Sequence, residues 1–331
     1  VLGRSVTTTS TRIEVEREIL IDSATALKDI PGANVNSNGL ITGIAQYRGM
    51  YGDRVSVDID SLGVVSGGPN AMDTPLSYMS PMITEELVVE RGIASVSSSP
   101  ESIGGYINTK LARGNFGDDG YGVSGVVGTR YADNGDVSTS VARLTLADQN
   151  HRFSIVSEFD NASDISTPVG EIRPSGLNRE RYDLSYGYGN DDNHVLLFAG
   201  MLETTDAGTS ALPMDIRFIK TDMFGAQFGT RITQAMTIEG RFAYNDVEHL
   251  MDNFTLRQAP MPMAYRQNLT YGSGSQFHIA SLFELSESEL RIGINGIMAD
   301  HDSVISNPNM AMLQVNNFTD IQRDLLGAFA E

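Results

Sequence analysis

From about residue 116 to its end, the chain consists mostly of segments in which apolar and polar side chains alternate with a period of two residues. In one segment Tyr182, Leu184 and Tyr186 alternate with Asp183 and Ser185. This period is typical of a β-strand with one apolar and one polar face. It predicts about ten strands, near 118–131, 136–147, 151–161, 179–190, 194–206, 216–231, 235–248, 267–286, 288–302 and 318–331.

The connections between these strands alternate in length. Counted from the first strand, the even-numbered connections are tight turns, at 148–150, 191–193, 232–234 and 286–287. Apart from the first, the odd-numbered connections are long, at 162–178, 207–215, 249–266 and 303–317. Short turns at one end and long loops at the other are typical of outer-membrane barrels. A soluble β-sandwich has no need to sort its loops in this way, but a soluble, secreted β-rich binding module is kept as an alternative.

Ten strands would close only a narrow barrel, which could not contain the residues that precede them. Filled lumens belong to barrels of about 22 strands. We therefore expect a fragment: an N-terminal α+β plug domain at residues 1–115, followed at 116–331 by the first part of an all-β transmembrane barrel. The long loops would then lie at the extracellular end.

Composition excludes several classes of function. The formal net charge of -19 argues against a nucleic-acid partner, because phosphate binding needs a basic surface. The absence of cysteine excludes disulfides and thiolate metal sites within these residues. The sequence contains no Gly-x-Ser-x-Gly, no His-Glu-x-x-His and no phosphate-binding glycine loop. We therefore expect neither enzymatic activity nor an organic cofactor.

Four segments before residue 114 follow one another in a characteristic order: Ala26–Gly32, Tyr47–Gly49 with Arg54–Asp60, Ile83–Gly92 and Ile103–Lys110. In this order they resemble the plug of TonB-dependent outer-membrane receptors, and with the strands that follow the resemblance covers the whole chain. It implies location in the outer membrane of a Gram-negative cell, contact with its lipid, and a TonB-type energy-coupling partner. The energy-coupling box is expected upstream of residue 1. Ser61 departs from the pattern, since glycine usually follows the aspartate at this position.

Methionine is unusually placed in this chain. Nine of the fourteen methionines lie in segments where a protein does not normally bury apolar side chains. Thioethers are soft, polarisable ligands that favour ions such as Cu(I). Three of the nine fall between Asn70 and Met82, and the other six lie in the long connections: Met214, Met251, Met261, Met263, Met310 and Met312.

Three segments resemble the TonB-dependent copper receptors in particular: GPNAMDTPLSY at 68–78, ALPMD at 211–215 and HLMDNF at 249–254. In that group copper is held between a plug methionine and methionines of barrel loops, which implies Met72, Met214 and Met251 as ligands here. Three thioethers would suit Cu(I) and would be poor ligands for Fe(III), calcium or magnesium. Gly68 stands where some members have a cysteine, so this chain lacks their thiolate.

Three further residues are possible accessory ligands. His249 lies two residues from Met251, so in an extended segment both side chains point the same way; a surface histidine is the alternative. Met261 and Met263 have loop packing as their alternative. The sequence thus predicts a receptor that imports copper, Cu(I) being favoured. The main alternative is a receptor of the same fold for a ferric siderophore or another metal chelate, in which the methionines only pack.

Overall fold

The computed structural model describes residues 10–14, 22–67, 74–98 and 102–331 of the chain. Up to residue 111 its described part contains eight short strands, in the order β1 (Ser10–Glu14), β2 (Ala33–Ser37), β3 (Gly43–Tyr47), β4 (Met50–Tyr51), β5 (Ser56–Ile59), β6 (Leu62–Gly63), β7 (Thr84–Glu90) and β8 (Tyr106–Leu111). They form a five-stranded sheet, β1-β7-β8-β5-β6, and a three-stranded sheet, β2-β3-β4. Short 3-10 helices lie at Ser23–Asp29, Gly52–Arg54, Pro75–Tyr78 and Pro81–Ile83.

The first of these 3-10 helices spans Ser23–Asp29. It begins at Asp22, whose carboxylate accepts a hydrogen bond from the backbone N–H of Ala24 at 2.9 Å. It ends at Ile30, which is extended because the residue before a proline disfavours the helical region. Leu27 and its alanine neighbours are buried against the three-stranded sheet.

The rest of the chain forms one sheet of ten long antiparallel strands. Each strand pairs with the next one in this list: β9 (Gly122–Ala132), β10 (Val137–Ala147), β11 (His151–Ala162), β14 (Leu177–Gly189), β15 (Asn193–Ala207), β16 (Asp215–Thr233), β17 (Met236–Asp252), β18 (Gln267–Leu285), β19 (Ser288–Ser306) and β20 (Val315–Ala330). All ten predicted strands are confirmed, with ends that differ by a few residues. The connection between β11 and β14 also forms a hairpin, β12 (Ile165–Thr167) with β13 (Gly170–Ile172), which the sequence did not predict.

Strand β17 continues to Asp252, four residues past its predicted end at 248. The segment after residue 248 reads as a polar loop, but Leu250 pairs with β16 and with β18 on either side. Backbone pairing on both edges therefore extends the strand beyond its alternating pattern. Met251 lies on this strand, whereas it was expected in a loop. Short 3-10 helices at Pro262–Ala264 and Ala311–Leu313 lie in the two following long loops.

The two faces of the large sheet have opposite character. Leu184, Leu197 and Phe224 on the outer face are each about half exposed. The inner face carries buried polar side chains such as Arg181 and Asn245, and the N-terminal sheets pack against it. In a soluble protein the apolar face of a sheet is buried and the polar face is exposed. The reverse arrangement, seen here, is typical of a membrane barrel wall. The predicted class, a partial barrel with an N-terminal α+β unit, is confirmed, and the predicted boundary at residue 115 falls in the connection between β8 and β9.

In the part of the chain that the structure describes, none of the helices has both the length and the apolar character needed to cross a membrane.

Candidate metal-binding site

Met214 and Met251 lie on neighbouring segments at the long-loop end of the sheet. Met214 immediately precedes β16, and Met251 is the penultimate residue of β17. In the strand register Ile216 is opposite Met251, and Asp215 is opposite Asp252. Met214 lies two residues before Ile216 and is therefore diagonally across the strand pair from Met251. Residues in this relation are about 7–8 Å apart, and long side chains still meet.

Both methionines point toward the interior of the molecule. Met251 is only 8% exposed and belongs to an apolar cluster that also contains Ile216 and, from the N-terminal part, Tyr78 and Met79. Met214 is half-buried and packs against the same cluster. Two of the three predicted ligands thus lie in one region, between the strand ends and the N-terminal part.

The aspartate after Met214 fixes the loop that carries this methionine. Asp215 is fully buried and accepts two hydrogen bonds from the guanidinium of Arg257, both at 2.6 Å. Arg257 also donates to the carbonyl oxygen of Leu212 at 2.9 Å. A bidentate pair of this kind fixes orientation as well as distance. The loop that follows Met251 is thereby tied to the loop that precedes Met214.

The aspartate after Met251 has a similar local role. Asp252 accepts hydrogen bonds from the backbone N–H groups of Phe254 and Thr255, at 3.0 and 2.9 Å. This is the hydrogen bonding by which aspartate starts a turn. Arg217 on β16 lies 3.4 Å from the same carboxylate. In both places the aspartate that follows the methionine in sequence holds the adjoining loop by hydrogen bonds.

The possible accessory residues differ in burial. His249 is only 7% exposed, so it is not a surface histidine: its position in β17 places it on the inner face, with Met251. Met261 and Met263, in the loop between β17 and β18, are 77% and 66% exposed. The described part of the chain contains no group of three or more histidine, cysteine, aspartate or glutamate side chains placed to hold a metal ion.

Met72 and Gly68 lie outside the described residues. The segment before them is held against the wall: a Cβ built on Gly272 of β18 would lie 2.2 Å from the carbonyl oxygen of Ser66. Gly272 is opposite Val247, four residues before Met251 on β17. After the gap, the Thr74 hydroxyl donates to the carbonyl oxygen of Gly43 at 2.8 Å.

Sequence reasoning missed the charged side chains that hold the N-terminal part. On β14, the Arg181 guanidinium pairs with Asp183 at 2.6 Å and donates to the carbonyl oxygen of Tyr78. Arg179 pairs with Asp160 at 2.7 Å. Both arginines are almost fully buried. The alternation Arg179-Glu180-Arg181 was a usable signal, since it places both arginines on one face of a strand.

No protein-family model and no curated protein sequence matches this chain. Several solved structures, however, are similar to it in fold. The copper transporter OprC superposes with a TM-score of 0.81 at 23% identity, covering 97% of this chain and 52% of that one. The ferric enterobactin receptor PfeA from Pseudomonas aeruginosa has a TM-score of 0.69 at 11% identity, with 97% and 55% coverage. The siderophore receptor PirA from Acinetobacter baumannii has a TM-score of 0.61 at 10% identity, with 91% and 49% coverage.

This chain thus has the fold of the TonB-dependent outer-membrane receptors, as the sequence resemblance predicted. It spans about half the length of these solved structures. The matched proteins are named as transporters and receptors.

Proposed function

We propose that this protein is a TonB-dependent outer-membrane receptor that imports copper, with Met72, Met214 and Met251 as thioether ligands. The observation that carries the proposal is the position of Met214 and Met251, on adjacent strand ends and in contact with one apolar cluster. The similarity in fold to a copper transporter supports it. The transport involves no covalent chemistry: the outer end binds the metal, and a TonB-type partner acts on the plug to open a path.

The donor set favours a soft cation. Asp215 and Asp252, which directly follow Met214 and Met251, are already engaged by Arg257 and by backbone N–H groups. Neutral thioether sulfur suits Cu(I) and is a poor ligand for Fe(III). Copper is therefore the cargo that these residues support best.

The outer face of the sheet supports location in the outer membrane. Its apolar residues form a band that ends, toward the long loops, at the exposed acidic residues Glu180, Asp222, Asp246 and Asp300. A barrel wall in contact with lipid has such a band, with polar residues beyond it. Met214 and Met251 then lie at the extracellular side.

Methionine-to-leucine substitutions test the site, because leucine keeps the packing and removes the sulfur. In the purified full-length receptor we expect Met214→Leu and Met251→Leu each to weaken binding of Ag(I), a redox-silent probe for Cu(I), by about tenfold or more. Met201→Leu is the matched control, since this methionine is 62% exposed on the outer face of β15 and should leave the affinity unchanged. Titration calorimetry and elemental analysis measure affinity and stoichiometry. Wild-type stoichiometry and affinity in the Met214→Leu/Met251→Leu double variant would falsify the proposal.

The second candidate is a receptor for a ferric siderophore or another metal chelate. Two of the similar solved structures, PfeA and PirA, are named as receptors of this kind. In that case cells would require the receptor for growth on a ferric chelate, and the two leucine substitutions would leave that growth unchanged.

A further inference from the structure

On the outer face of the sheet, ring-bearing side chains of β11 and β14 gather beside the short turns. His151 and Phe153 lie at the start of β11, and Tyr186 and Tyr188 lie near the end of β14. In the strand register His151 is opposite Tyr188, with ring centroids 5.2 Å apart. Phe153 is opposite Tyr186, with ring centroids 4.8 Å apart. These four side chains form one continuous surface, here called the aromatic cluster.

Hydrogen bonds direct the polar atoms of the aromatic cluster toward the short turns. The Tyr186 hydroxyl is 2.9 Å from Nδ1 of His151, which lies one row nearer the turns. Asn190, which follows β14, donates to the Tyr188 hydroxyl at 2.8 Å. The rings are thus held with their polar ends at the rim of the sheet and their apolar edges toward its middle.

A carboxylate lies at the edge of the aromatic cluster. Asp148, in the turn before β11, accepts hydrogen bonds from the backbone N–H groups of His151 at 2.6 Å and Asn150 at 2.8 Å. The Tyr121 hydroxyl donates to it as well. No arginine or lysine forms an ion pair with Asp148 in the part of the chain that the structure describes. The charge of this carboxylate is therefore available to a cation from outside the chain.

The position of the carboxylate beside the rings is more than a barrel wall requires. Aromatic rings are expected at this level in any membrane barrel, because they favour the border between acyl chains and headgroups. That preference needs no charged partner. Ring faces and carboxylate oxygen atoms both attract cations, and aromatic side chains bind ammonium groups by cation–π attraction. Asp148 together with Tyr186 and Tyr188 therefore suits an ammonium ligand.

An apolar surface leads from the aromatic cluster toward the middle of the sheet. Leu146 of β10 is opposite Phe153, and Ile155 is opposite Leu184 in the next outward-facing row. The side chains of Leu146, Ile155 and Leu184 are between 40% and 57% exposed. A lipid seated here would lay its acyl chains on this surface and place its headgroup at Asp148.

Charges on the neighbouring segments favour a cationic group over an anionic one. Four exposed aspartates lie beside the turn of Asp148: Asp118, Asp119, Asp191 and Asp192. The backbone N–H of Gly117 donates to the carbonyl oxygen of Asp148 at 2.8 Å, which brings the first two close to it. The guanidinium of Arg231 lies 3.4 Å from Asp192, so this basic side chain is already engaged. A lipid with net negative charge would meet repulsion here.

We propose that the aromatic cluster and Asp148 bind a phospholipid whose headgroup carries a primary ammonium group, in the leaflet next to the short turns. The ammonium contacts the Asp148 carboxylate and the ring faces, and the acyl chains cover the apolar surface beyond. A primary ammonium offers three N–H donors to the carboxylate, whereas a quaternary ammonium offers none. The proposal rests on the outer-membrane location proposed above and is independent of copper as the cargo.

Lipid retention by the purified full-length receptor tests the proposal. The receptor is exchanged in detergent against equal amounts of phosphatidylethanolamine and phosphatidylglycerol with identical acyl chains, and native mass spectrometry counts the lipids that stay bound. We expect the wild type to retain phosphatidylethanolamine over phosphatidylglycerol by about fivefold or more. A second exchange against phosphatidylcholine should show the same direction of preference for the primary ammonium.

Two substitutions separate the charge from the ring. Asp148→Asn should abolish the preference, because asparagine still accepts the backbone hydrogen bonds of the turn but carries no charge. Tyr188→Leu should reduce it, since leucine keeps apolar contact and removes the ring. Glu287→Gln and Phe242→Leu are the matched controls and should keep the wild-type preference. Glu287 is an exposed carboxylate in another short turn, and Phe242 is a ring on the outer face in the middle of β17.

The heat-modifiable band on a denaturing gel shows that each variant is folded. Equal retention of the two lipids by the wild type, or an unchanged preference in Asp148→Asn, overturns the proposal and leaves the rings as an ordinary aromatic girdle. Binding of Ag(I) to the same preparations tests the proposed function separately. Silver binding that does not depend on Met214 and Met251 overturns copper import alone, whereas dependent silver binding without a lipid preference overturns the lipid site alone.

Discussion

At the scale of single residues, Asp58 occupies the environment least suited to a charged carboxylate. It is 3% exposed, on a strand of the plug, and accepts a hydrogen bond from the Tyr106 hydroxyl at 3.0 Å. Burial raises the pKa of Asp58 from 3.8 to about 7, although the Tyr106 hydrogen bond and the charge of Arg241 oppose part of that rise. Asp22, also buried in the plug, has its pKa raised by burial to about 6. The plug therefore contains two carboxyl groups that keep their protons to a higher pH than an unfolded chain would.

These pKa values predict that acid stabilises the plug. The folded state holds a proton on Asp58 up to about pH 7, whereas the unfolded chain releases it near pH 4, so stability present in acid is lost as pH rises across this range. We expect the full-length receptor to lose its plug structure at a lower temperature at pH 8 than at pH 5.5. Asp58→Asn should remove most of this difference, a change on the order of a few kcal/mol. Protease sensitivity of the plug during heating measures it.

Asp29→Asn is the control, because this aspartate is exposed and its substitution should leave the pH dependence unchanged. An unaltered pH dependence in Asp58→Asn would show that the burial of this carboxylate is not responsible.

At the scale of elements, the two loops that carry the proposed ligands behave as one unit. Arg257, in the loop between β17 and β18, binds Asp215 at the start of β16 and the carbonyl oxygen of Leu212 in the preceding loop. Asp215 is fully buried, so its charge depends on this partner. Removing one member of such a pair leaves an uncompensated charge, which costs more than the pair contributes.

Arg257→Gln should therefore loosen both loops without unfolding the barrel. The loss of about 2–3 kcal/mol of local stability corresponds to roughly 30- to 160-fold faster hydrogen exchange at residues 209–215. Arg266→Gln is the matched control in the same loop, since its guanidinium binds only carbonyl oxygens of Met263 and Tyr265 among the described contacts. Equal exchange rates in the two variants would contradict the role assigned to the pair. Mass spectrometry of the full-length receptor measures the exchange.

At the scale of the whole molecule, the outer face of the sheet has the apolar character that the proposed location in the outer membrane requires. Leu184 lies within the apolar band and Glu180 at its acidic edge, on the same face of β14 and four residues, or about 13 Å, apart. Arginine costs about 2–4 kcal/mol at the middle of a membrane barrel and about 0–1 kcal/mol near its edge. The two positions therefore separate the effect of depth from the effect of charge.

Leu184→Arg should reduce the amount of full-length receptor assembled in the outer membrane, whereas Glu180→Arg should assemble like the wild type. The heat-modifiable band on a denaturing gel measures assembled barrel. Normal assembly of Leu184→Arg, or equal losses in both variants, would argue against lipid contact at this face.

Much of the architecture could be predicted because its signals are local. The alternation of apolar and polar residues along Tyr182–Tyr188 indicates the two faces of a strand before any partner strand is known. The alternation of short and long connections then indicates that successive strands are neighbours in the sheet. The prediction was less accurate where pairing overrides pattern: the last residues of β17 form a strand because both neighbours bind them. The hairpin β12–β13 was missed because each strand has only three residues, too few to show a period.

The sequence by itself determined the strands, their order, the side on which the long loops lie, and the segments that resemble a receptor plug. It also singled out Met214 and Met251. Only the tertiary structure decided that these two methionines share a cluster, that Arg257 ties their loops together, and that Arg179 and Arg181 are buried against the N-terminal part. The physical reason is the separation along the chain of the residues involved. The face of a strand on which a side chain lies follows from the pattern of a few neighbouring residues. Contacts such as that of Gly63 with Gln276, 213 residues apart, depend on how the whole chain packs.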